Sequence, residues 1–178
     1  LLAEGVDCPE IYGDPAMLIP LYYRPNKYRH YKYGIISHVS NQMVVETLLF
    51  NGIPLNECED VQIIHLGRYA HWHDIIDQIC ECEIILSSSL HGLIIAETYH
   101  IPNVWIEFGK PLIGGHFKFH DFFLSIHRDR KKPITIDEQE IPLELIDSEA
   151  SRWKRGFIDL NPLINVCPFE LRKAKYNL

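Results

Sequence analysis

Serine and histidine side chains cluster in residues 87–92 (SSSLHG), directly after a short apolar run. Serine hydroxyls donate hydrogen bonds to anions, and His91 can transfer a proton near neutral pH. The apolar stretch from Leu90 to Tyr99 predicts a buried helix, so the cluster lies where that helix begins. A helix N-terminus has free N–H groups and a partial positive charge, which favour an anion. The spacing is equally compatible with a simple helix cap and a half-buried histidine, so both interpretations stay open here.

Polar side chains also follow the other three apolar runs of the sequence. His38 comes after the first run, Arg68 after the second and Glu107 after the fourth. In an open parallel sheet the carboxyl ends of the strands meet at one edge, and ligands bind there. The order of residues therefore predicts one polar site at this edge. Lys118 and Arg128 are further candidates for holding an anion.

Three other clusters carry weaker signals. Residues 71–74 (HWHD) look like a metal-binding cluster, but histidines at i and i+2 face different sides of a helix, so no metal site is predicted. The cysteines at 80 and 82 lack further ligands at regular spacing, which favours reduced thiols. The basic run at 128–132 favours an exposed turn, with contact to anionic lipid headgroups as the second interpretation.

The elements that position these side chains are predicted from four short apolar runs. Each run is separated from the next by a stretch that is long enough for a helix. The runs are rich in Ile and Val, which is typical of parallel strands covered on both faces. Strands are predicted at residues 33–37, 61–66, 83–87 and 103–106. Helices are predicted at residues 42–51, 72–80 and 90–99, followed by a helix at 117–123, a strand at 133–136 and a helix at 147–159.

This alternation predicts an α/β fold, namely a Rossmann-like, doubly wound and mainly parallel sheet flanked by helices. The Rossmann-like domain is expected to span residues 32–136. Residues 1–31 are predicted to be a connector, beginning with the end of a helix that Gly5 terminates. Residues 137–178 are predicted to form a C-terminal helical segment.

Composition excludes several classes of protein. The chain of 178 residues carries 17 Lys and Arg against 24 Asp and Glu, a formal net charge of −7, so binding to nucleic acid is not expected. No apolar run approaches the ~20 residues of a membrane span. The five cysteines are scattered, and residues 1–5 have no features of a secretory signal, which favours the cytoplasm. The motifs of dinucleotide-binding enzymes, P-loop proteins, α/β-hydrolases and zinc proteases are absent.

Five segments together resemble the polysaccharide pyruvyl transferases. They occur in the family's order between about residues 5 and 130, and each is modest alone whereas the ordered set is specific. The segments are residues 12–20 (YGDPAMLIP), 34–38 (GIISH), 87–97 (SSSLHGLIIAE), 101–105 (IPNVW) and 118–125 (KFHDFFLS).

The resemblance implies a GT-B-like architecture, in which two Rossmann-like domains face each other across a cleft. It implies transfer of the enolpyruvyl group of phosphoenolpyruvate to two hydroxyls of a sugar, which gives a cyclic pyruvate ketal. The expected setting is bacterial capsule or exopolysaccharide biosynthesis, with a lipid-linked or oligosaccharide acceptor at the cytoplasmic side of the membrane. Phosphoenolpyruvate is the donor substrate, and no separate cofactor is expected.

The GDPA segment begins here at residue 13, although it normally lies near the middle of a family member. The resemblance therefore implies that this sequence corresponds to the second half of such an enzyme. Little turnover is expected from this half alone, because a cleft enzyme draws catalytic groups from both domains. An uncovered cleft face would favour self-association.

The resemblance also implies residue roles. His91 is expected to be the acid or a phosphate ligand, and His38 a second polar group in the cleft. Ser88 and Ser89, with the start of their helix, are expected to hold an anionic group. Lys118 is expected to pair with a carboxylate or phosphate.

One position departs from the family pattern. Many relatives have an arginine two residues before the histidine, where this chain has Ser89. The anion must then be held by Arg68, Lys118, Arg128 or the other half of the enzyme.

Two other functions remain alternatives. The first is a GT-B-type nucleotide-sugar enzyme, either a glycosyltransferase or an epimerase, in which the same helix terminus holds a diphosphate. The second is an inactive truncated half-domain. Binding of a nucleotide sugar without phosphoenolpyruvate would favour the first alternative, and an absence of ligand binding would favour the second.

Overall fold

A five-stranded parallel sheet forms the centre of the chain in a computed structural model that describes Gly5, Asp7 and residues 9–25, 28–109, 115–136 and 139–167. The sheet strands are β1 (Tyr31–Ile36), β4 (Val61–Ile64), β5 (Cys82–Ser87), β6 (Asn103–Phe108) and β7 (Ile134–Ile136). Their order in the sheet is β4-β1-β5-β6-β7, and each neighbouring pair is parallel. The predicted α/β fold class is confirmed.

Helices and a small hairpin connect the strands. The longer helices are α2 (Trp72–Cys80), α3 (Leu90–Thr98), α4 (Phe117–Ser125) and α5 (Leu143–Ser151). The shorter elements are a 3₁₀-helix (Pro15–Leu21), α1 (Gln42–Val45), α6 (Asn161–Asn165) and the hairpin strands β2 (Leu49–Phe50) and β3 (Ile53–Pro54). Within the described helices, none combines the length and apolar character needed to cross a bilayer.

Both faces of the sheet are buried, which explains why its strands have continuous apolar sequences. Ile35 of β1 packs on one face with Ile146 of α5 and with the hairpin region. Ile36, the next residue, packs on the other face with Ile79 of α2. Helices α3 and α4 extend this second face over Trp105 of β6.

The prediction of a helix from residue 42 to 51 is wrong. Only α1 is helical there, and the chain then forms the antiparallel hairpin of β2 and β3. Asn51 and Gly52 have positive φ angles of 52° and 75°, which suit the Asn-Gly turn of a two-residue hairpin. Leu48 and Phe50 nevertheless reach the same core that a helix there would have covered.

The helix predicted at 147–159 lies further toward the N-terminus, as α5, and ends at Ser151. An extended segment follows and includes Gly156, where an added Cβ would lie 2.7 Å from Cδ1 of Ile126. Glycine at this position therefore allows the segment to pack closely against Ile126 at the end of α4. The helix end predicted within residues 1–6 lies largely outside the described residues.

Candidate active site

The strand order creates a crevice between β1 and β5. The chain first passes from β1 to β4 on one side, and then crosses to β5 on the other side of β1. Loops that leave adjacent strands in opposite directions open a crevice at the carboxyl ends of those strands, where doubly wound proteins bind ligands. The predicted polar residues that follow β1 and β5 therefore lie at the topological switch point.

Hydrogen bonds join the two loops at this crevice. Ile36 pairs with Ser87 at the ends of β1 and β5. Beyond that pair, the amide of Ser88 donates to the carbonyl oxygen of Ile36 at 3.0 Å, and the amide of His38 donates to Oγ of Ser88 at 2.9 Å. The Ser88 hydroxyl thus fixes the loop that carries His38. The structure brings these two predicted residues together.

A second set of contacts fixes the turn from β5 into α3. The hydroxyl of Ser87 donates to the carbonyl oxygen of Ser89 at 2.8 Å and accepts from the amide of Ser89 at 3.1 Å. A Cβ at Gly92 would lie 2.4 Å from this hydroxyl, so glycine is required for the close approach of α3. Ser87 and Ser88 are almost fully buried, and their contacts give both a structural role.

The N-terminus of α3 lacks a side-chain cap. Ser89 occupies the N-cap position, but its side chain makes no capping hydrogen bond. The amides of the first helical turn have no partner within their own helix, and the helix dipole places partial positive charge there. His91, the second residue of α3, is exposed. This terminus combines an anion-binding backbone with an accessible histidine.

His38 is half-buried on the β1 side of the crevice. Its Nδ1 lies 2.8 Å from Oγ of Ser40, and the amide of Ser40 donates to the same nitrogen at 3.3 Å. These local contacts orient the imidazole through Nδ1.

Glu107 and His116 form a pair whose contact the sequence did not reveal. The Nε2 atom of His116 lies 2.8 Å from Oε2 of Glu107, and the hydroxyl of Thr135 donates to Oε1 at 3.2 Å. The His116 ring also contacts the ring of Trp105 at 4.9 Å. A carboxylate that orients a histidine in this way is a common arrangement for proton transfer.

The Glu107–His116 pair lies at the same edge of the sheet as the crevice. Ser87, the last residue of β5, pairs with Trp105, so Glu107 extends two residues beyond the end of β5. Side chains alternate along a strand, and Glu107 therefore shares with Trp105 the face that α3 and α4 cover. The position of Glu107 after the fourth run was visible in the sequence, but its partner was not.

The three predicted cations occupy different surroundings. Arg68 follows β4 and is exposed. Lys118, the second residue of α4, is exposed, with Nζ 5.4 Å from the centre of the Phe119 ring. The structure does not place Arg128 in the crevice. Its guanidinium pairs with the buried Glu97 near the opposite end of α3, about 9 Å along the axis from His91.

The relative position of the His71 and His73 side chains differs from the one expected from the sequence. His71 is the N-cap of α2 rather than a helical residue, so its ring stacks on that of His73 at 5.5 Å. Asp74 accepts hydrogen bonds from the amides of His71 and Ala70, and these bonds hold the pKa of Asp74 below its usual value. Among the described residues, no group of three or more metal-binding side chains is arranged around a common point.

Fold and site together define a doubly wound α/β domain whose switch point suits an anionic ligand. The chain belongs to the polysaccharide pyruvyl transferase family, whose model matches residues 1–109. It is 30% identical over 139 residues to Uncharacterized protein L143 of Acanthamoeba polyphaga mimivirus, an alignment that covers 74% of this chain and 46% of that protein. The chain thus spans about half the length of that relative. No solved structure matches it.

Proposed function

We propose that this chain forms the donor-binding half of a pyruvyl transferase that acts on polysaccharide or its precursors. In this proposal, phosphoenolpyruvate binds in the crevice between β1 and β5. The observation that supports it most is the uncapped N-terminus of α3, with the exposed His91, at the switch point of the sheet. Family membership supports the class of reaction.

The proposed reaction needs groups that bind the anionic substrate, an acid and a base, and residues of this chain can supply all three. Phosphoenolpyruvate carries a phosphate and a carboxylate, which need oriented N–H groups and cations. The first-turn amides of α3 would bind one anionic group, with Arg68 and Lys118 approaching from the two flanks. His91 would be the acid and the Glu107-oriented His116 the base for the acceptor hydroxyl.

The reaction balances with these groups. His91 gives a proton to the methylene carbon of phosphoenolpyruvate, which leaves an oxocarbenium-like centre at the neighbouring carbon. A sugar hydroxyl oxygen bonds to that carbon, and its proton passes to the base. The carbon–oxygen bond to phosphate then breaks, and the phosphate leaves with the proton held by the base. A second hydroxyl of the same sugar attacks the same carbon, its proton passes to the deprotonated His91, and the ketal closes.

The acceptor is assigned to surfaces outside this chain. In the two-domain arrangement of the proposal, the sugar enters from the opposite side of the cleft, on a lipid-linked or oligosaccharide carrier at the cytoplasmic face of the membrane. This arrangement predicts donor binding without efficient turnover by this chain alone, because catalysis requires both reactants to be positioned.

Calorimetry with phosphoenolpyruvate and a uridine-diphosphate sugar tests the proposal. The variants are His91→Ala and, as a matched control, His30→Ala, which removes an exposed histidine just before the amino end of β1. We expect saturable binding of phosphoenolpyruvate by the wild type and His30→Ala, and at least tenfold weaker binding by His91→Ala. Preferential binding of the nucleotide sugar would instead support the nucleotide-sugar enzyme, and no binding of either would refute a donor site on this chain.

A further inference from the structure

A groove of about 360 Å³ concentrates positive charge on this otherwise acidic chain. We call it the basic groove. It is lined by five of the 17 Lys and Arg residues but only two carboxylates, Asp129 and Glu149. The five basic residues are Arg128, Arg130, Arg152, Lys154 and Arg155. They come from two stretches of sequence, one after α4 and one after α5, which only the fold brings together.

The basic groove lies away from the candidate active site. Nη1 of Arg128 donates to Oδ1 of Asn103, the first residue of β6, at 3.3 Å. The run that contains Arg128 and Arg130 then leads into the first residue of β7, Ile134. These contacts place the groove at the amino edge of the sheet, whereas the crevice of the active site opens at the carboxyl edge.

Two inner arginines form a fixed floor for the groove. Arg128 pairs with Glu97, and Arg130 pairs with Glu149. Both arginine side chains are 12% exposed. Burial, together with the nearby charge of Arg130, lowers the pKa of Arg128 to about 10. The protein therefore holds two guanidinium groups close enough to repel each other.

Several donors in the groove lack an acceptor. The Nε atom of Arg130 is buried and has no hydrogen-bond partner among the described residues. Arg152, Lys154 and Arg155 are exposed, and none belongs to an ion pair within the described parts of the chain. Asp129 lies 3.7 Å from Lys131, which is not part of the lining. The lining of the groove thus has more positive charges than carboxylates, and more N–H donors than acceptors to pair with them.

Trp153 gives the groove an ordered aromatic wall. Its Nε1–H donates to Oε1 of Glu97 at 3.0 Å, which fixes the indole. The guanidinium carbon of Arg128 lies 5.8 Å from the centre of this ring. Guanidinium groups arranged in a rigid frame match phosphate oxygens in a bidentate geometry.

We propose that the basic groove binds a ligand that presents two neighbouring phosphate groups. The lining residues supply more cations than one phosphate needs, and the volume lies within the range of small-molecule sites. Two neighbouring phosphates can come from a soluble diphosphate or from adjacent headgroups of an anionic bilayer. The chemistry of recognition is the same in both cases, and the proposal does not depend on pyruvyl transfer.

The test compares two charge-matched double variants of the chain. Lys154→Ala/Arg155→Ala removes two groove cations and leaves Arg152, which caps α5, in place. Lys131→Ala/Lys132→Ala removes two exposed cations that do not line the groove. Calorimetry with inorganic diphosphate at low ionic strength measures soluble binding. Cosedimentation with phosphatidylglycerol vesicles, against phosphatidylcholine vesicles, measures bilayer binding. Circular dichroism checks that both variants are folded.

We expect saturable binding of at least one probe, weakened at least tenfold by Lys154→Ala/Arg155→Ala and less than twofold by the control variant. Binding of diphosphate alone identifies a soluble ligand, and binding of anionic vesicles alone identifies headgroups as the source of phosphate. Equal losses in the two variants would show a diffuse charge effect and overturn the proposal. Failure of both probes to bind would also overturn it.

Discussion

Gly92→Ala is expected to disturb the turn that carries the candidate active site. The new methyl group would lie 2.4 Å from Oγ of Ser87 and 3.0 Å from two side-chain carbons of Ile36. The Ser87 hydroxyl makes both hydrogen bonds to Ser89 that hold the start of α3, so it cannot move without losing them. The substitution therefore separates α3 from the ends of β1 and β5.

The size of the effect follows from three contributions. Overpacking a buried contact costs about 1–3 kcal/mol. Loss of one or both Ser87 hydrogen bonds costs about 1 kcal/mol each. The higher helix propensity of alanine returns about 1 kcal/mol. We expect a net loss of about 2 kcal/mol in the free energy of unfolding, together with weaker binding of phosphoenolpyruvate because the α3 terminus is displaced.

Urea unfolding followed by circular dichroism measures this loss, and calorimetry measures ligand binding. With a slope of about 2 kcal/mol/M, the midpoint should fall by about 1 M. Gly67→Ala is the matched control, because Gly67 lies at the same edge of the sheet and a Cβ there meets no atom within 4 Å. The reasoning is refuted if Gly92→Ala keeps the wild-type midpoint and affinity, or if Gly67→Ala loses as much stability.

Three further predictions concern buried groups. Glu97→Ala should lower the free energy of unfolding by about 3–5 kcal/mol, because it leaves the Arg128 guanidinium buried without its carboxylate. Urea unfolding should show a much smaller loss, below about 1 kcal/mol, for Lys32→Ala, which removes an exposed pair with Asp147. Burial raises the pKa of Cys82 to about 12. This thiol should resist an aromatic disulfide reagent at pH 8 until the chain unfolds, and rapid reaction of Cys82 in the native protein would contradict its burial. The pKa of Cys82 is higher in the folded chain than its unfolded value of 9.0, so the buried neutral thiol contributes fully to stability below about pH 9. This contribution is lost as the pH rises toward 12, and urea unfolding at a series of alkaline pH values should show a falling free energy of unfolding.

The strands could be predicted from the sequence because their burial on both faces leaves a continuous apolar run. The helix α2 could be predicted because its apolar residues recur at helical spacing. The hairpin around Asn51 and Gly52 was missed, although the Asn-Gly signal is present. The stretch around this turn is so short that its apolar residues fit the periodicity of a helix and that of a strand equally well. Packing in the core therefore decides that this segment forms a strand.

The candidate site was predictable only in part, for a similar reason. The sequence predicts that His38, Ser88 and His91 follow strands, but it does not reveal that β1 and β5 are neighbours in the sheet. The order of the strands in the sheet determines which loops lie next to each other. The Glu107–His116 contact depends on the course of the chain from β6 to α4, and the pairing of Arg128 depends on Glu97 being buried near the far end of α3. Both require tertiary contacts that no local pattern contains.

The position of Ser89 bears on how the proposed site would balance the charge of its substrate. This chain has an uncharged serine two residues before His91, so the proposed site must take its positive charge from elsewhere. Arg68 follows β4 and Lys118 follows β6, and these strands are separated by β1 and β5, or about 14 Å at three strand spacings. Because the strands that precede them are this far apart, the two side chains are not expected to contact each other, and their contributions to the binding of a ligand between them should add. Arg68→Ala and Lys118→Ala are therefore each expected to weaken binding of phosphoenolpyruvate about tenfold, and the double variant about a hundredfold, by calorimetry at one fixed ionic strength. If one single variant already removes all of the effect and the other none, the charge comes from one flank, and the two-sided arrangement is wrong.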